Sequence, residues 1–199
     1  MKKILFVTSR NPFTKEYSGD GLRSSKIIKF LNKKNKLDVV YSNNQQQKKF
    51  LKSKNINQIV FKNQILKRIY NIFLSLINLK PLQLGFFYCS GVKNYIKNNH
   101  HKYDVIIFHL IRTAQYLPID FQGKKILEMT DLMSENYRQT INNLSIFNPV
   151  FYIYFLERCL IAKYENYCMK KFDKIVLASK KDCTNKNKKF YKKVVEVPN

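Results

Sequence analysis

Seven strand-length runs, nearly all apolar, recur along this chain, mostly with helical stretches between them. No other feature narrows the possible folds as far. The runs are KILFVTS (3–9), LDVVYS (37–42), INQIVFK (56–62), YDVIIFHL (103–110), KKILEMTD (124–131), DKIVLAS (173–179) and KKVVEVP (192–198). A strand that is apolar on both sides must be covered on both sides, and a parallel sheet flanked by helices does this. The intervening stretches have helical spacing. SSKIIKFLNKK (24–34) can pack against the first strand, and GFFYCSGVKNYIKNN (85–99) resumes helix after Pro81. In VFYIYFLERCLIAKYENYCMKKF (150–172), Tyr152, Leu156, Cys159, Leu160, Tyr164, Tyr167 and Cys168 share one broad face. The expectation is one α/β domain over 1–199: a doubly wound, Rossmann-like parallel sheet with strands at 3–8, 103–109, 124–130 and 174–178 and a helix over 152–171. The polar stretch NNQQQKKFLKSKN (43–55) reads as a loop or frayed helix.

Charge is the second constraint. Lys and Arg number 37 against 13 Asp and Glu, a formal net charge of +24. AT-rich coding raises Lys along with Asn, Ile, Tyr and Phe, but it does not account for the scarcity of acid. A field of this sign attracts anions. A bilayer surface is favoured over nucleic acid, because no RNP, helix-turn-helix or zinc pattern is present. The run QILKRIYNIFLSLINLKPLQLGFFY (64–88) mixes Lys and Arg with Ile, Leu and Phe. Its ordinary explanation is a core-facing helix, with Ile65, Ile69, Ile72, Phe73 and Leu76 inward; its sharper one is an interfacial segment at an anionic membrane. The start, MKKILFVTSRNPF, has too short an apolar run for a signal peptide, and no stretch reaches membrane-spanning length. A soluble or peripheral protein is expected. Cys89, Cys159, Cys168 and Cys183 form no CxxC pair, which points to reduced thiols. His100 and His101 are adjacent and would point apart, so no metal site is expected.

In a sheet of this kind ligands bind beyond the carboxyl ends of the strands. After the first strand, SRNPFTKEYSGDGLRSSK (9–26) lacks the GxGxxG pattern but places Gly19, Asp20 and Gly21, with Arg23 close behind, just before a helix. Glycines there let an anion approach backbone amides, though a plain loop explains them equally. After the fourth strand come His109 and Arg112, after the fifth Asp131, with Glu128 earlier in that strand. A carboxylate at Asp131 can orient a hydroxyl or take its proton, or it can cap the next helix.

These segments together resemble the N-terminal half of a GT-B glycosyltransferase of the family-4 type. The likeness rests on KKILFVTSRNPFTKEYSGDGLRSSKIIKFL, PLQLGFFY, YDVIIFHLIRTAQYLP, KKILEMTDLMSENYR and the long helix leading into DKIVLASKKD. The terminal VVEVPN matches the phrase that leads such enzymes into their second domain. The resemblance implies an acceptor-side half ending at the domain boundary, with the donor-binding domain lying beyond it. The whole enzyme would be retaining and metal-independent, without a cofactor. It would move a sugar from a nucleotide-sugar donor to a hydroxyl of a glycan or lipid-linked acceptor in cell-envelope synthesis. Its place would be cytoplasmic, peripheral at the inner face of the membrane. Asp131 would be the catalytic residue; Gly19, Asp20, Gly21, Arg23, His109 and Arg112 would bind substrate. Asp20 stands where a second glycine is common. The chain alone would be inactive. A non-enzymatic binding module or inactive fragment is the alternative.

Overall fold

A computed structural model describes residues 1–13, 19–43, 56–179 and 191–198. Among the described residues seven strands form one sheet: β1 (Lys3–Thr8), β2 (Lys36–Asn43), β3 (Ile56–Lys62), β4 (Val105–His109), β5 (Lys124–Thr130), β6 (Lys174–Leu177) and β7 (Val194–Glu196). Their order is β3-β2-β1-β4-β5-β6-β7, and every neighbouring pair is parallel. Strand order reverses between β1 and β4, so a crevice opens at the carboxyl ends of these two strands. The doubly wound fold expected from the apolar runs is the one observed. The stretch 44–55 and Cys183 lie outside the described residues.

Alternation along each strand divides the core in two. Ile4 and Phe6 of β1 face one cluster, where the helical contribution comes from α1 (Gly19–Asn32) through Ile27, Ile28 and Leu31. Leu5 and Val7 face the other, larger cluster. That cluster is covered by α4 (Ser90–Asn99), through Val92 and Ile96, and by α6 (Pro149–Lys171), through Ile161, Cys168 and Met169. All connections from β3 onward among the described residues run over this second face. An open apolar groove of about 720 Å³ therefore remains between α1 and the sheet, lined by Leu22, Phe30, Ile107, Ile126 and Val176.

Three further α-helices are described: α2 (Ile65–Ile77), α3 (Leu82–Phe87) and α5 (Met133–Asn142). The helix expected over 85–99 is broken, because Tyr88 and Cys89 are extended between α3 and α4. Tyr116 explains the break. Its hydroxyl donates to the Phe87 carbonyl at 3.0 Å and accepts the Cys89 amide at 2.8 Å, replacing the helical bonds lost there. A second departure concerns α2. Its apolar face does not enter the core: Ile69 and Phe73 are 61% and 59% exposed, and Ser75 is its buried residue. Gly85 sets the close approach of α3 to α2, since a Cβ there would lie 2.3 Å from the Asn71 carbonyl oxygen.

Neither α3 nor α5 has a capping side chain at its own N-terminus. Two buried glutamates two turns apart on α6 supply the acceptors instead. Glu157 receives the amides of Leu82 and Gln83, and Glu165 receives the amide and hydroxyl of Ser134. Each carboxylate satisfies donors that a helix start leaves open. Burial nonetheless pushes the Glu157 carboxyl up, against the pull of those two amides. Glu165→Ala should cost about 2–4 kcal/mol in urea unfolding, from two orphaned polar groups and a cavity. Glu165→Gln keeps an acceptor for the amide and should cost less than half of that. Equal losses would mean that side-chain shape, not the capping bonds, holds α5.

Candidate functional site

The site is built at the carboxyl edge around one buried carboxylate. His109 ends β4 and lies directly opposite Glu128 in the ladder with β5. They are 1% and 2% exposed. The Nδ1 of His109 lies 2.5 Å from Glu128 Oε2, while Arg23 Nε and Thr130 Oγ1 donate to Oε1 at 2.7 and 3.0 Å. Arg23 also reaches the Val197 carbonyl at 2.9 Å, tying α1 to the chain leaving β7. The carboxylate accepts from Nδ1–H, and in the neutral form of the ring Nε2 is then an acceptor. Among the described residues Nε2 has no hydrogen-bond partner, and the ring stacks on Phe6 at 5.7 Å.

Burial works to raise the Glu128 pKa, but the bonds and charges of His109 and Arg23 together hold it below its ordinary 4.5. The register makes this contact possible: a carboxylate inside an apolar strand faces the histidine that ends its neighbour.

Backbone strain marks the same edge. Leu110 and Thr130 both have positive φ, 68° and 64°. The Asp131 amide donates to the Met129 carbonyl at 2.8 Å, closing a γ-turn on Thr130. That turn is strained for a β-branched residue. It ends the strand and releases Asp131, half-buried, beyond the sheet. Leu132 then precedes α5. The Ser134 amide in the first turn of α5 goes to Glu165, as described above.

Arg112 lies in a 3-10 helix, Ile111–Tyr116, that follows β4. Its Nε donates to Ser9 Oγ at 2.7 Å and its Nη2 to Asp20 Oδ2 at 3.3 Å. Its guanidinium lies 4.0 Å from the centre of the Phe87 ring. Burial, followed by the charge of Arg10, lowers its pKa to about 10 against the pull of Asp20.

Five of the seven residues singled out from the sequence therefore make contacts grouped at this edge: Asp20, Arg23, His109, Arg112 and Asp131. Gly19 and Gly21 are the first and third residues of α1, which starts five residues earlier than its spacing indicated. The described glycines have no positive φ, and a Cβ at Gly19 would meet nothing within 4 Å. The left-handed conformation that glycine favours is thus not used at Gly19 or Gly21. Arg23 is spent on internal partners. The sequence reading left out Ser9, Arg10, Phe87, Thr130 and the organising role of Glu128. A carboxylate amid Ile126, Leu127 and Met129 is the signal that could have exposed that role.

This arrangement, a parallel Rossmann-like sheet with polar groups from four loops at its carboxyl edge, is the fold of one domain of the GT-B glycosyltransferases. No family model and no curated protein matches the sequence. Among solved structures, the chain is similar to sucrose-phosphate synthase from Thermosynechococcus elongatus, with a TM-score of 0.67 and 12% identity, covering 100% of this chain and 48% of that one. It is also similar to HepE from Anabaena, solved with UDP and glucose, with a TM-score of 0.53 and 17% identity, covering 100% of this chain and 44% of that one. The chain thus spans about half the length of each.

Because Glu128 is held below its ordinary 4.5, its contribution to stability is complete above that pH and is lost as pH falls through the lowered value. Glu128→Gln should be less stable than the parent at pH 7, with the gap closing on acidification. A gap of constant size between pH 7 and pH 3 would show that the charge of Glu128 contributes nothing.

Proposed function

We propose that this domain binds the acceptor for a retaining glycosyltransferase and works with a donor-binding domain on the same or another chain. The reaction transfers a sugar from a nucleotide-sugar donor to a hydroxyl of a glycan or lipid-linked acceptor. The reading is carried by the delivery of Asp131, His109 and Arg112 to one carboxyl edge within a GT-B domain fold. Asp131 has the role of meeting the acceptor hydroxyl. An Asp of ordinary pKa near 3.9 is a weak base, so orienting that hydroxyl matters at least as much as removing its proton. His109, locked by Glu128, has Nε2 available to a hydroxyl. The neighbours solved with UDP and glucose or UDP-glucose support a nucleotide sugar as the donor class.

A membrane location completes the proposal. The chain has no Asp or Glu between Asp38 and Asp104, and α2 lies within this basic stretch with its apolar face exposed. Lys62, Lys67 and Lys80 lie along the same stretch. Near an anionic surface each contributes about 1 kcal/mol, a term that salt screens. Among the described residues no helix is long and apolar enough to cross a membrane, and the surface suits peripheral docking at the cytoplasmic leaflet of an envelope membrane.

Two measurements test this. Alone, the chain should show no sugar transfer and weak nucleotide-sugar affinity; joined to a matching donor domain it should become active. In that pair Asp131→Asn should slow transfer by about a hundredfold or more while leaving donor affinity nearly unchanged. A near-normal rate would show that the charge of Asp131 plays no part in transfer. For the membrane, liposomes with anionic lipid should bind the chain at low salt and neutral ones should not. Ile69→Asp with Phe73→Asp should weaken that binding at least about tenfold without changing stability. Equal binding to both vesicle types would remove the membrane from the account.

A further inference from the structure

Two guanidinium groups meet on one aromatic ring beside the cleft and share the carboxylate of Asp20. Arg10, just beyond β1, lies 5.5 Å from the centre of the Phe87 ring that Arg112 also covers. Arg10 Nη1 is 3.9 Å and Arg112 Nη2 is 3.3 Å from the same oxygen of Asp20. Among the described residues two positive charges thus face one negative charge. Glu128, buried at the same sheet edge, is matched by Arg23 and His109. Arg112 is mostly buried, and Arg10, at 54% exposed, leaves the site open to solvent.

The geometry is fixed before any ligand arrives. Phe87 ends α3, where the Tyr116 hydroxyl binds its carbonyl. Ser9 holds Arg112 through Nε, and stacking on Phe87 orients the guanidinium plane. A guanidinium has five donors in a rigid fork, and the two bonds described for Arg112 occupy two of them. Planar forks held in this way match the oxygens of a phosphate better than a mobile ammonium does. Asp20 lies in the first turn of α1, so the helix dipole also favours an anion there.

We propose that Arg10 and Arg112, clamped on Phe87, form a binding site for a phosphate group on the ligand. The inference rests on the acceptor-domain reading and narrows it: the phosphate belongs either to a phosphorylated acceptor or to the diphosphate of the donor. A dianion there would bridge both guanidiniums and reverse the local excess of positive charge.

The test is titration calorimetry on the full chain near physiological salt, with inorganic phosphate, glucose 6-phosphate, glucose and UDP as probes. Inorganic phosphate and glucose 6-phosphate should bind saturably, and glucose should not. Arg10→Ala should weaken glucose 6-phosphate binding about tenfold, as expected for losing one charge-assisted bond. Arg112→Lys, which keeps the charge but removes the fork, should weaken it as well. Lys33→Ala with Lys34→Ala, at the far end of α1, should leave it unchanged. Tighter binding of glucose 6-phosphate than of UDP assigns the phosphate to the acceptor, and the reverse order to the donor. Unsaturable binding, equal binding of glucose, or equal loss in the Lys33/Lys34 control would overturn the site, reducing it to general attraction by a basic protein. Arg10 is exposed, so its variant should melt like the parent. No transfer is read in this assay, so failure here leaves the acceptor-domain reading standing, and failure of that reading leaves these titrations interpretable.

Discussion

The carboxyl edge of this domain depends on one buried charge. Glu128 sits inside the sheet, where an unmatched carboxylate would be strongly destabilising. Arg23 supplies the compensating cation, and His109 and Thr130 occupy the remaining lone pairs. Each partner is positioned by that bond in turn. Arg23 draws the start of α1 and the exit from β7 together, and His109 is fixed in one orientation at the end of β4. The strained turn at Thr130 lies two residues beyond Glu128 and sets where Asp131 emerges. An apolar residue at 128 would leave Arg23 buried without its counter-charge and His109 free to rotate.

The same device recurs on the outer layer with a different purpose. Glu157 and Glu165 on α6 hold the starts of α3 and α5, two helices whose own sequences offer no cap. Through α3 this reaches Phe87, and so the ring on which Arg10 and Arg112 stack. The long helix acts as a brace. It fixes the two short elements that flank the cleft, while α2 remains at the surface with its apolar side outward.

Much of this was legible in the residues. The strands were readable because Ile4–Val7, Val105–Phe108 and Ile175–Leu177 are apolar on both sides, a pattern that only a sheet covered on both faces accommodates. The long helix was readable from its period. The break at Tyr88 and Cys89 was not, because the group that stabilises it is the hydroxyl of Tyr116, far along the chain. The exposure of α2 was hidden for a related reason: a helical period reveals an apolar face but not what covers it. At the site, strand ends pointed to His109 and Asp131, whereas the pairing of His109 with Glu128 required the register of two strands. Arg10 and Phe87 come from segments that meet only once the sheet has formed.

The claim that the cleft is organised by Glu128 can be tested most directly by nitrogen-15 NMR of the histidine side chains. Three histidines are present, so assignment by substitution is simple. The account predicts that His109 carries its proton on Nδ1 at neutral pH, with Nε2 bare and shifting when a hydroxyl-bearing acceptor binds. In Glu128→Gln the preference for Nδ1 should weaken or reverse. A proton on Nε2 in the parent protein, or a His109 spectrum indifferent to the loss of Glu128, would contradict the account at its centre.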